Sequence, residues 1–311
     1  MNCKIDWTVP ATDWDDMFAS APRPSLLQAR AYGEAIAPRM GQKIRRGVAQ
    51  IDNQPAALIQ IQEASLLGRS IHAVILDRGP VWLQGFGEKS QARAVFDAFA
   101  AEFPARPLRR RRVIPEVPAA ISHPIFDGLA LRQKTTAGYQ TIWVDLRYDE
   151  PRLRTRLLPK WRNALAKGEA AGLTIEWDWS GRLLSPFLAY YASDQIGKGY
   201  PGPNPQIIRN MAKRFGDKCA IAMAWDGDVP AAGILIFLHG RAATWQTGFV
   251  AEVGRHTGAN NLLLWQAMLA IKERGGDWFD LGGINPDDAV GVTRFKQGLG
   301  GKAVILAGPF G

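Results

Sequence analysis

The stretch from Arg255 to Asn260 has residue types that can hold the phosphates of an activated donor. Gly258 and Ala259 stand directly before a long apolar run, Leu262 to Lys272, whose periodicity predicts a buried helix. Free N–H groups at a helix N-terminus attract anions together with the helix dipole, and Arg255 adds a positive charge. Asn260 is a good capping residue. We therefore predict a donor site formed by Arg255, Gly258, Ala259 and Asn260, with an ordinary capped helix as the alternative.

Lys296 and Asp280 are the side chains predicted to carry out the chemistry. Asp280 lies in a short apolar segment that predicts a buried strand. Its carboxylate could accept a proton from an amine; the alternative is that backbone N–H groups satisfy it. Lys296 can face a developing oxyanion, with Arg294 supporting the same anion. The alternative is a lysine on the surface of an amphipathic helix. That helix is expected to bury one face, which leaves Lys296 and Arg294 beside the core; the face consists of Val292, Phe295 and Leu299.

Three further side chains are candidates for binding the acceptor. Arg78 follows a predicted strand and precedes Gly79-Pro80, so it is expected at the edge of a cleft between domains. Arg162 lies on a basic helix, where it can hold a phosphate or simply face solvent. Tyr200 belongs to residues 194–205, which contain four turn formers and predict a long exposed loop near the site.

The densest run of charge is Arg106 to Arg112, with five arginines in seven residues. It can contact phosphates or RNA. The alternative is a solvated loop and edge strand, because its side chains alternate between two faces if extended and positive charge discourages pairing of sheet edges.

Two blocks of sequence resemble the Fem family of aminoacyltransferases, which are GNAT-related proteins that build peptidoglycan cross-bridges and have relatives that use acyl-CoA. The first block is Asp280-Leu281-Gly282-Gly283-Ile284 with Arg294-Phe295-Lys296-Gln297-Gly298-Leu299-Gly300-Gly301, preceded by Gly258 to Leu263. The second runs from Leu158-Pro159-Lys160-Trp161-Arg162 to Leu173, and weaker similarities lie at Leu26 to Gln28 and Asp77 to Val81. The resemblance implies that Lys296 is the family's functionally important lysine.

The chain departs from the family at three points. A GNAT pyrophosphate loop ends in Gly or Ala, whereas this chain has Asn260 there. Members that build cross-bridges have a lysine after the Leu-Gln element, whereas here only Arg30 could replace it. No long polar heptad pattern predicts a helical-hairpin arm. The donor therefore stays open between acyl-CoA and aminoacyl-tRNA, and the acceptor between a cell-wall precursor and another amine.

Composition sets outer limits on the function. A formal net charge of +9 favours phosphorylated or polyanionic partners such as tRNA, CoA, a nucleotide-linked sugar or an anionic membrane surface. Two cysteines form no disulfide framework, which predicts a cytoplasmic location. We expect no transmembrane segment, secretory signal or metal site, and no Ser-His-Asp order, P-loop or Rossmann glycine string is found.

The 311 residues suit two domains, and the coarse order of a helix, a strand meander, an apolar helix and a strand occurs twice. The resemblance implies an α/β (α+β) protein with mixed sheets and a tandem GNAT-like fold, divided into residues 1–145 on the acceptor side and 146–311 on the donor side. It further implies an acyl or aminoacyl transferase acting on an anionic, amine-bearing acceptor, with peripheral membrane contact and no permanently bound cofactor. The alternative is a non-catalytic protein that binds RNA or an anionic ligand on the same fold.

Overall fold

The computed structural model describes residues 1–68, 70–134 and 138–311, with the backbone alone at 38–40. The chain forms two compact units. The first combines Met1–Gln140 with Val304–Gly311, and the second is Thr141–Ala303. The sequence placed the division at residue 145 and gave the last residues to the second domain; the structure divides the chain five residues earlier and returns residues 304–311 to the first unit.

The first unit is built on a mixed sheet. Its strands are β1 (Cys3–Asp6), β2 (Lys43–Ile51), β3 (Gln54–Leu66), β4 (Ile71–Gly79), β5 (Val81–Trp82) and β6 (Arg109–Pro115). Its helices are α1 (Ala11–Ser20), α2 (Arg30–Met40), α3 (Lys89–Glu102) and α4 (His123–Phe126). The strand order is β1-β2-β3-β4-β6, antiparallel except for the parallel pair of β4 and β6, and β5 pairs with β3.

The core of the first unit forms where α3 covers this sheet. The helix buries Val95, Phe96 and Phe99 against strand residues because apolar positions recur at helical spacing. The returning segment adds Phe310, whose ring stacks on Phe126 with centroids 4.0 Å apart. The predicted edge strand is confirmed as β6, which carries the second half of the arginine run at the border of the sheet.

The second unit is also built on a mixed sheet. Its strands are β7 (Gln140–Asp145), β8 (Thr174–Asp178), β9 (Cys219–Asp226), β10 (Val229–His239), β11 (Ala242–Val250), β12 (Trp278–Gly283) and β13 (Lys302–Ile305). Its helices are α5 (Glu150–Arg156), α6 (Pro159–Ala170), α7 (Leu184–Lys198), α8 (Pro205–Phe215), α9 (Glu252–Thr257), α10 (Ala259–Glu273) and α11 (Val290–Gln297). The strand order is β13-β7-β12-β11-β10-β9-β8, with β11 and β12 parallel.

Both units share one pattern, in which a three-stranded antiparallel meander is followed by a helix and a strand parallel to the last meander strand. In the first unit the elements are β2-β3-β4, α3 and β6; in the second they are β9-β10-β11, α10 and β12. The prediction of two mixed sheets is therefore confirmed. The helix α10 is buried on nearly every side, as its sequence predicted.

Two sequence expectations about local structure are wrong. Residues 194–205 are not one long loop, since α7 continues to Lys198 and α8 begins at Pro205, each with a good cap or start signal. The short strands β1, β8 and β13 were not anticipated, because each has only four or five residues. In the described part of the chain, no helix is long and apolar enough to cross a lipid bilayer.

Candidate active site

Asp280 lies in the middle of β12, where its side chain has no exposed surface. Its Oδ1 accepts the backbone N–H of Gly282 at 2.9 Å and lies within hydrogen-bond distance of the Thr141 hydroxyl. A buried carboxylate needs such donors because burial without them is costly. This is the alternative that the sequence left open, in which backbone N–H groups satisfy the carboxylate. The placement suits an electrostatic role better than direct contact with an amine.

Lys296 is buried on α11, with only 8% of its surface exposed. Its ammonium Nζ donates to the backbone carbonyl of Gly283 at 2.8 Å and lies 5.1 Å from the centre of the Trp245 ring. Burial lowers the pKa of Lys296 to about 8, and the nearby Asp280 carboxylate opposes this shift. The site therefore contains a cation that is only partly compensated by its surroundings.

The buried face of α11 differs from the predicted one. Thr293 and Lys296 point into the protein. Of the predicted face, Leu299 is buried as expected, but Val292 is 51% exposed and Phe295 is only partly buried. The expectation that Lys296 lies beside the core is therefore wrong. The period of the helix alone could not decide between two neighbouring faces, and the face with the lysine is buried because its ammonium finds the Gly283 carbonyl.

Trp245 and its strand were not anticipated as parts of the site. Trp245 forms an edge contact with Phe295, with ring centroids 6.3 Å apart, and covers the Lys296 ammonium. Gly282 has φ +71°, and a Cβ there would lie 3.0 Å from the Trp245 carbonyl oxygen, so glycine allows the two strands to approach. A tryptophan within a meander strand is usually a core residue, so nothing in the sequence indicated a role in the site.

A second buried polar pair lies on the same strands. His239 Nε2 is 2.8 Å from the hydroxyl of Thr244, and Thr244 stands opposite Asp280 in the β11–β12 register. Both side chains are buried. The pairing of β10 with β11 brings His239 to Thr244, next to the site.

The turn at Gly258 is packed rather than open. Its backbone N–H donates to the Gly254 carbonyl at 3.1 Å, and a Cβ on Gly258, at φ +80°, would lie 2.3 Å from the Ala164 carbonyl of α6. Ala259 and Asn261 are also buried. The expectation of a turn with free N–H groups is thus wrong for Gly258, because glycine serves close packing of α6 against this turn.

The other donor-site candidates have different surroundings. Asn260 does not cap α10, which begins at Ala259 with Gly258 in the capping position. Its side-chain oxygen Oδ1 is buried and accepts no hydrogen bond from the described residues. Arg255 and Arg294 are exposed, and neither forms a salt bridge with a described residue. These two guanidinium groups remain available to an anion.

Arg78 is not available to a ligand. It is 3% exposed and forms two hydrogen bonds with Glu116, from Nε at 2.7 Å and from Nη2 at 2.9 Å. Its guanidinium also lies 5.0 Å from the ring centre of Tyr139. The role predicted from its position at a strand end is therefore corrected to a structural one within the first unit.

Arg162 and Tyr200, the other acceptor candidates, both lie in the second unit. Arg162 is half-buried on α6, next to Trp161, whose ring lies 6.0 Å from that of Phe295. The Tyr200 hydroxyl donates to Asp194 at 3.0 Å, and burial together with Asp194 raises the pKa of Tyr200 well above its usual value. Arg162 thus lies near the helix of Lys296, while Tyr200 serves the junction of α7 and α8.

Two further features bear on ligands of the second unit. A cavity of about 380 Å³ lies between α6, β8 and α10, lined by Gly168, Glu169, Gly172, Leu173, Ile175, Leu262, Trp265, Gln266 and Leu269. Neither Lys296 nor Asp280 lines it. Within residues 1–68, 70–134 and 138–311, no group of three His, Cys, Asp or Glu side chains could hold a metal ion.

Residues 154–297 match the family model of the acetyltransferase (GNAT) domain. The match covers α6 to α11 and so includes Asp280 and Lys296. Among curated proteins, none matches the sequence.

Solved structures extend the comparison to the whole chain. FemX is similar over 100% of this chain and 96% of its own, with a TM-score of 0.79 and 14% identity. The C-terminal domain of an Agrobacterium fabrum protein assigned as a lysylphosphatidylglycerol synthetase covers 94% of this chain and 89% of its own, with a TM-score of 0.56 and 16% identity. A GNAT-family acetyltransferase from Colwellia psychrerythraea covers 99% of this chain and 100% of its own, with a TM-score of 0.53 and 12% identity.

At these identities the likeness concerns the fold, which is mixed α/β with the GNAT pattern in both units. The predicted relation to GNAT proteins is confirmed. Residues 154–297 therefore match a GNAT acetyltransferase domain, and the chain is similar in fold to FemX along its whole length.

Proposed function

We propose that this protein transfers an acyl or aminoacyl group from an activated donor to an amine, with Lys296 as the catalytic cation. The observation that carries the proposal is the buried ammonium of Lys296, which donates a hydrogen bond to the Gly283 carbonyl. Burial lowers the pKa of this ammonium group, so it loses its proton more easily than an exposed lysine. A neutral carbonyl compensates a charge less well than a carboxylate in contact. Such a cation gains more from a new negative charge than an exposed lysine would.

The reaction forms negative charge next to the group that is transferred. The acceptor nitrogen attacks the carbonyl carbon of a thioester or ester, and the carbonyl electron pair moves to its oxygen. When the resulting intermediate collapses, the carbon–sulfur or carbon–oxygen bond breaks, and the leaving group takes up the proton lost by the nitrogen. Lys296 is proposed to stabilise the oxyanion in the step between.

Asp280 is proposed to act through Lys296 rather than on the substrate. Its buried carboxylate favours the charged form of Lys296. The hydrogen bonds from Gly282 and Thr141 hold that carboxylate in place. Asp280 is thus a positioning residue that keeps the catalytic cation protonated.

The donor is proposed to contact Arg255 and Arg294, whose exposed guanidinium groups can bind phosphates. Gly258, Ala259 and Asn260 form the turn that follows Arg255 in the chain. Acyl-CoA and aminoacyl-tRNA both carry the required phosphates, and the GNAT match favours acyl-CoA as the first donor to test. Arg162 is the remaining candidate for an anionic acceptor. A cell-envelope precursor in the cytoplasm belongs to the same proposal because two blocks of this sequence resemble the Fem family.

The test is a transfer assay with labelled acetyl-CoA, longer acyl-CoAs and aminoacyl-tRNA, each combined with a panel of amines. A thermal-shift series with the same donors identifies binding separately, because a ligand that binds only the folded state raises its apparent stability. We expect one donor class to raise the melting temperature and to yield a product with an amide bond. Binding of a donor without transfer to any amine would instead favour the non-catalytic alternative, a protein that binds RNA or an anionic ligand.

A further inference from the structure

Four large aliphatic side chains are exposed together at one end of the sheet of the first unit. Leu67 is 78% exposed, Leu66 and Leu108 are each 67% exposed, and Ile71 is 41% exposed. Leu66 stands opposite Ile71 in the β3–β4 register, and the Leu108 carbonyl accepts the N–H of His72 at 2.9 Å. We call these four residues the apolar tip; they come from two chain segments that lie side by side.

The backbone of the apolar tip does not favour leucine. Leu67 has φ +49° and Leu108 has φ +59°, which is the left-handed region. Glycine or asparagine adopts that conformation at little cost, whereas a bulky residue does not. Neither side chain is buried, so packing does not compensate for the cost. Leucine at these two positions therefore points to a role outside the fold.

Six cations lie beside the apolar tip. They line a hollow of about 700 Å³, together with Ala105, Ala130 and Gly311, and they are Arg106, Arg109, Arg110, Arg111, Arg132 and Lys134. Among the described residues, no acidic side chain lines this hollow. We call it the basic hollow. It begins where the tip ends, since Leu108 directly precedes Arg109 and Arg109 Nε donates to His72 Nδ1 at 3.1 Å.

Two acidic residues of the same unit, Glu63 on β3 and Glu102 on α3, are engaged with other groups. Glu63 lies 3.0 Å from His72 and 3.9 Å from Arg45, and Glu102 lies 3.2 Å from Arg45. Two hollow arginines also bind backbone carbonyls, with Arg109 donating to Pro104 and Arg111 to Phe103 and Ala130. Arg110, Arg106 and Arg132 are exposed, so their charges face outward.

We propose that the apolar tip and the basic hollow form a docking surface for an anionic phospholipid bilayer. Exposed aliphatic side chains can enter the boundary between headgroups and acyl chains, and arginines beside them attract anionic headgroups. The combination distinguishes a bilayer from a nucleic acid. RNA would use the cations but gains nothing from four aliphatic side chains, and no aromatic ring that could stack on bases lines the hollow. This surface does not depend on the proposed acyl transfer.

The experiment measures binding of the full chain to sedimented vesicles of phosphatidylcholine, with and without phosphatidylglycerol. We expect binding only to vesicles with phosphatidylglycerol, and weaker binding as salt rises. Leu67→Asn and Leu108→Asn each introduce a residue that tolerates the left-handed backbone conformation. Each should lower the partition coefficient onto the vesicles by about tenfold. Arg110→Gln should lower it by about fivefold.

Matched controls come from the second unit. Ile196 is 83% exposed and Lys213 is exposed. The variants Ile196→Asn and Lys213→Gln should leave partitioning onto the vesicles unchanged. Equal binding to both kinds of vesicle, or full binding by the two leucine variants, would overturn the proposal. RNA binding that depends on Arg110 but not on the leucines, without vesicle binding, would assign the surface to RNA instead. Circular dichroism checks that each variant is folded.

Discussion

The two units use the same strand pattern but complete the parallel pair differently. In the first unit the register of β4 and β6 runs from His72 opposite Arg109 to Gly79 opposite Pro115, with one irregularity between Asp77 and Gly79. In the second unit the parallel register of β11 and β12 covers only Ala242–Thr244 and residues 278–280. Beyond it, β11 has an irregularity near Trp245 and β12 has one after Asp280. The parallel pair is therefore longer in the first unit, whereas in the second unit both strands become irregular next to Trp245 and Asp280.

The charged groups at these strand ends show the same contrast. In the first unit the Arg78 guanidinium meets the Glu116 carboxylate directly. In the second unit the Lys296 ammonium donates to the Gly283 carbonyl, and the negative charge of Asp280 raises the pKa of Lys296 against the effect of burial. Breaking a buried pair of a cation and a carboxylate destabilises the fold, so the Arg78–Glu116 pair is structural. A buried cation that contacts a neutral carbonyl can still stabilise negative charge on a ligand.

The largest expected effect is on the stability of the first unit. Arg78→Leu leaves the Glu116 carboxylate buried without its partner, so we expect a loss of about 3–5 kcal/mol in the free energy of unfolding. Urea denaturation measures it. The double change Arg78→Leu with Glu116→Leu should recover most of the loss. If Arg78→Leu kept normal stability but lost transfer activity, Arg78 would bind the acceptor instead of stabilising the fold.

The next effect concerns turnover. Lys296→Met keeps the length of the side chain and removes the charge, so we expect transfer to slow by about 10²–10³-fold. Lys302→Met, an exposed lysine in the same unit, is the control and should keep full activity. Steady-state kinetics with the donor identified in the transfer assay measures both. Full activity of Lys296→Met would show that Lys296 has no catalytic role and is structural, as Arg78 is.

A third effect is the pH dependence of stability. The pKa of Lys296 is about 8 when folded and near its ordinary 10.5 when unfolded, so between these values the unfolded chain binds more protons. The free energy of unfolding should therefore rise as the pH increases from about 8 to 10.5. The rise should be on the order of 3 kcal/mol, because a charged Lys296 is costly to bury at low pH and a neutral one is not. Urea titrations at both ends of the window should show this rise in the native protein and not in Lys296→Met, which controls for other groups.

The smallest effect compares two glycines of the second unit with nearly equal backbones. Gly258 has φ +80° and Gly275 has φ +79°, but a Cβ meets the Ala164 carbonyl at 2.3 Å only in the first case. Gly275→Ala should cost about 1 kcal/mol from backbone strain, and Gly258→Ala about 1–3 kcal/mol more from overpacking. Thermal unfolding measures the difference. Equal costs would mean that α6 moves away easily, as a ligand-binding turn would require.

The sequence anticipated the fold better than the candidate site. Apolar periodicity located the helix α10 and the meander strands, because burial of whole faces leaves a regular pattern. Asp280 and Lys296 were also singled out, but through a resemblance rather than a pattern. Their partners Thr141, Trp245 and Gly283 come from separate strands. Only the register of the sheet brings them together, and no spacing along the chain records that register.

The return of residues 304–311 to the first unit has a consequence for biosynthesis. The ribosome releases all of Thr141–Ala303 before it supplies Phe310, which stacks on Phe126 and bridges to Val113. A nascent chain usually folds its earlier unit first. Here the earlier unit must wait for residues 304–311, which follow the whole of Thr141–Ala303 in the chain. Stalled or clipped chains would therefore present a finished second unit attached to an open first one.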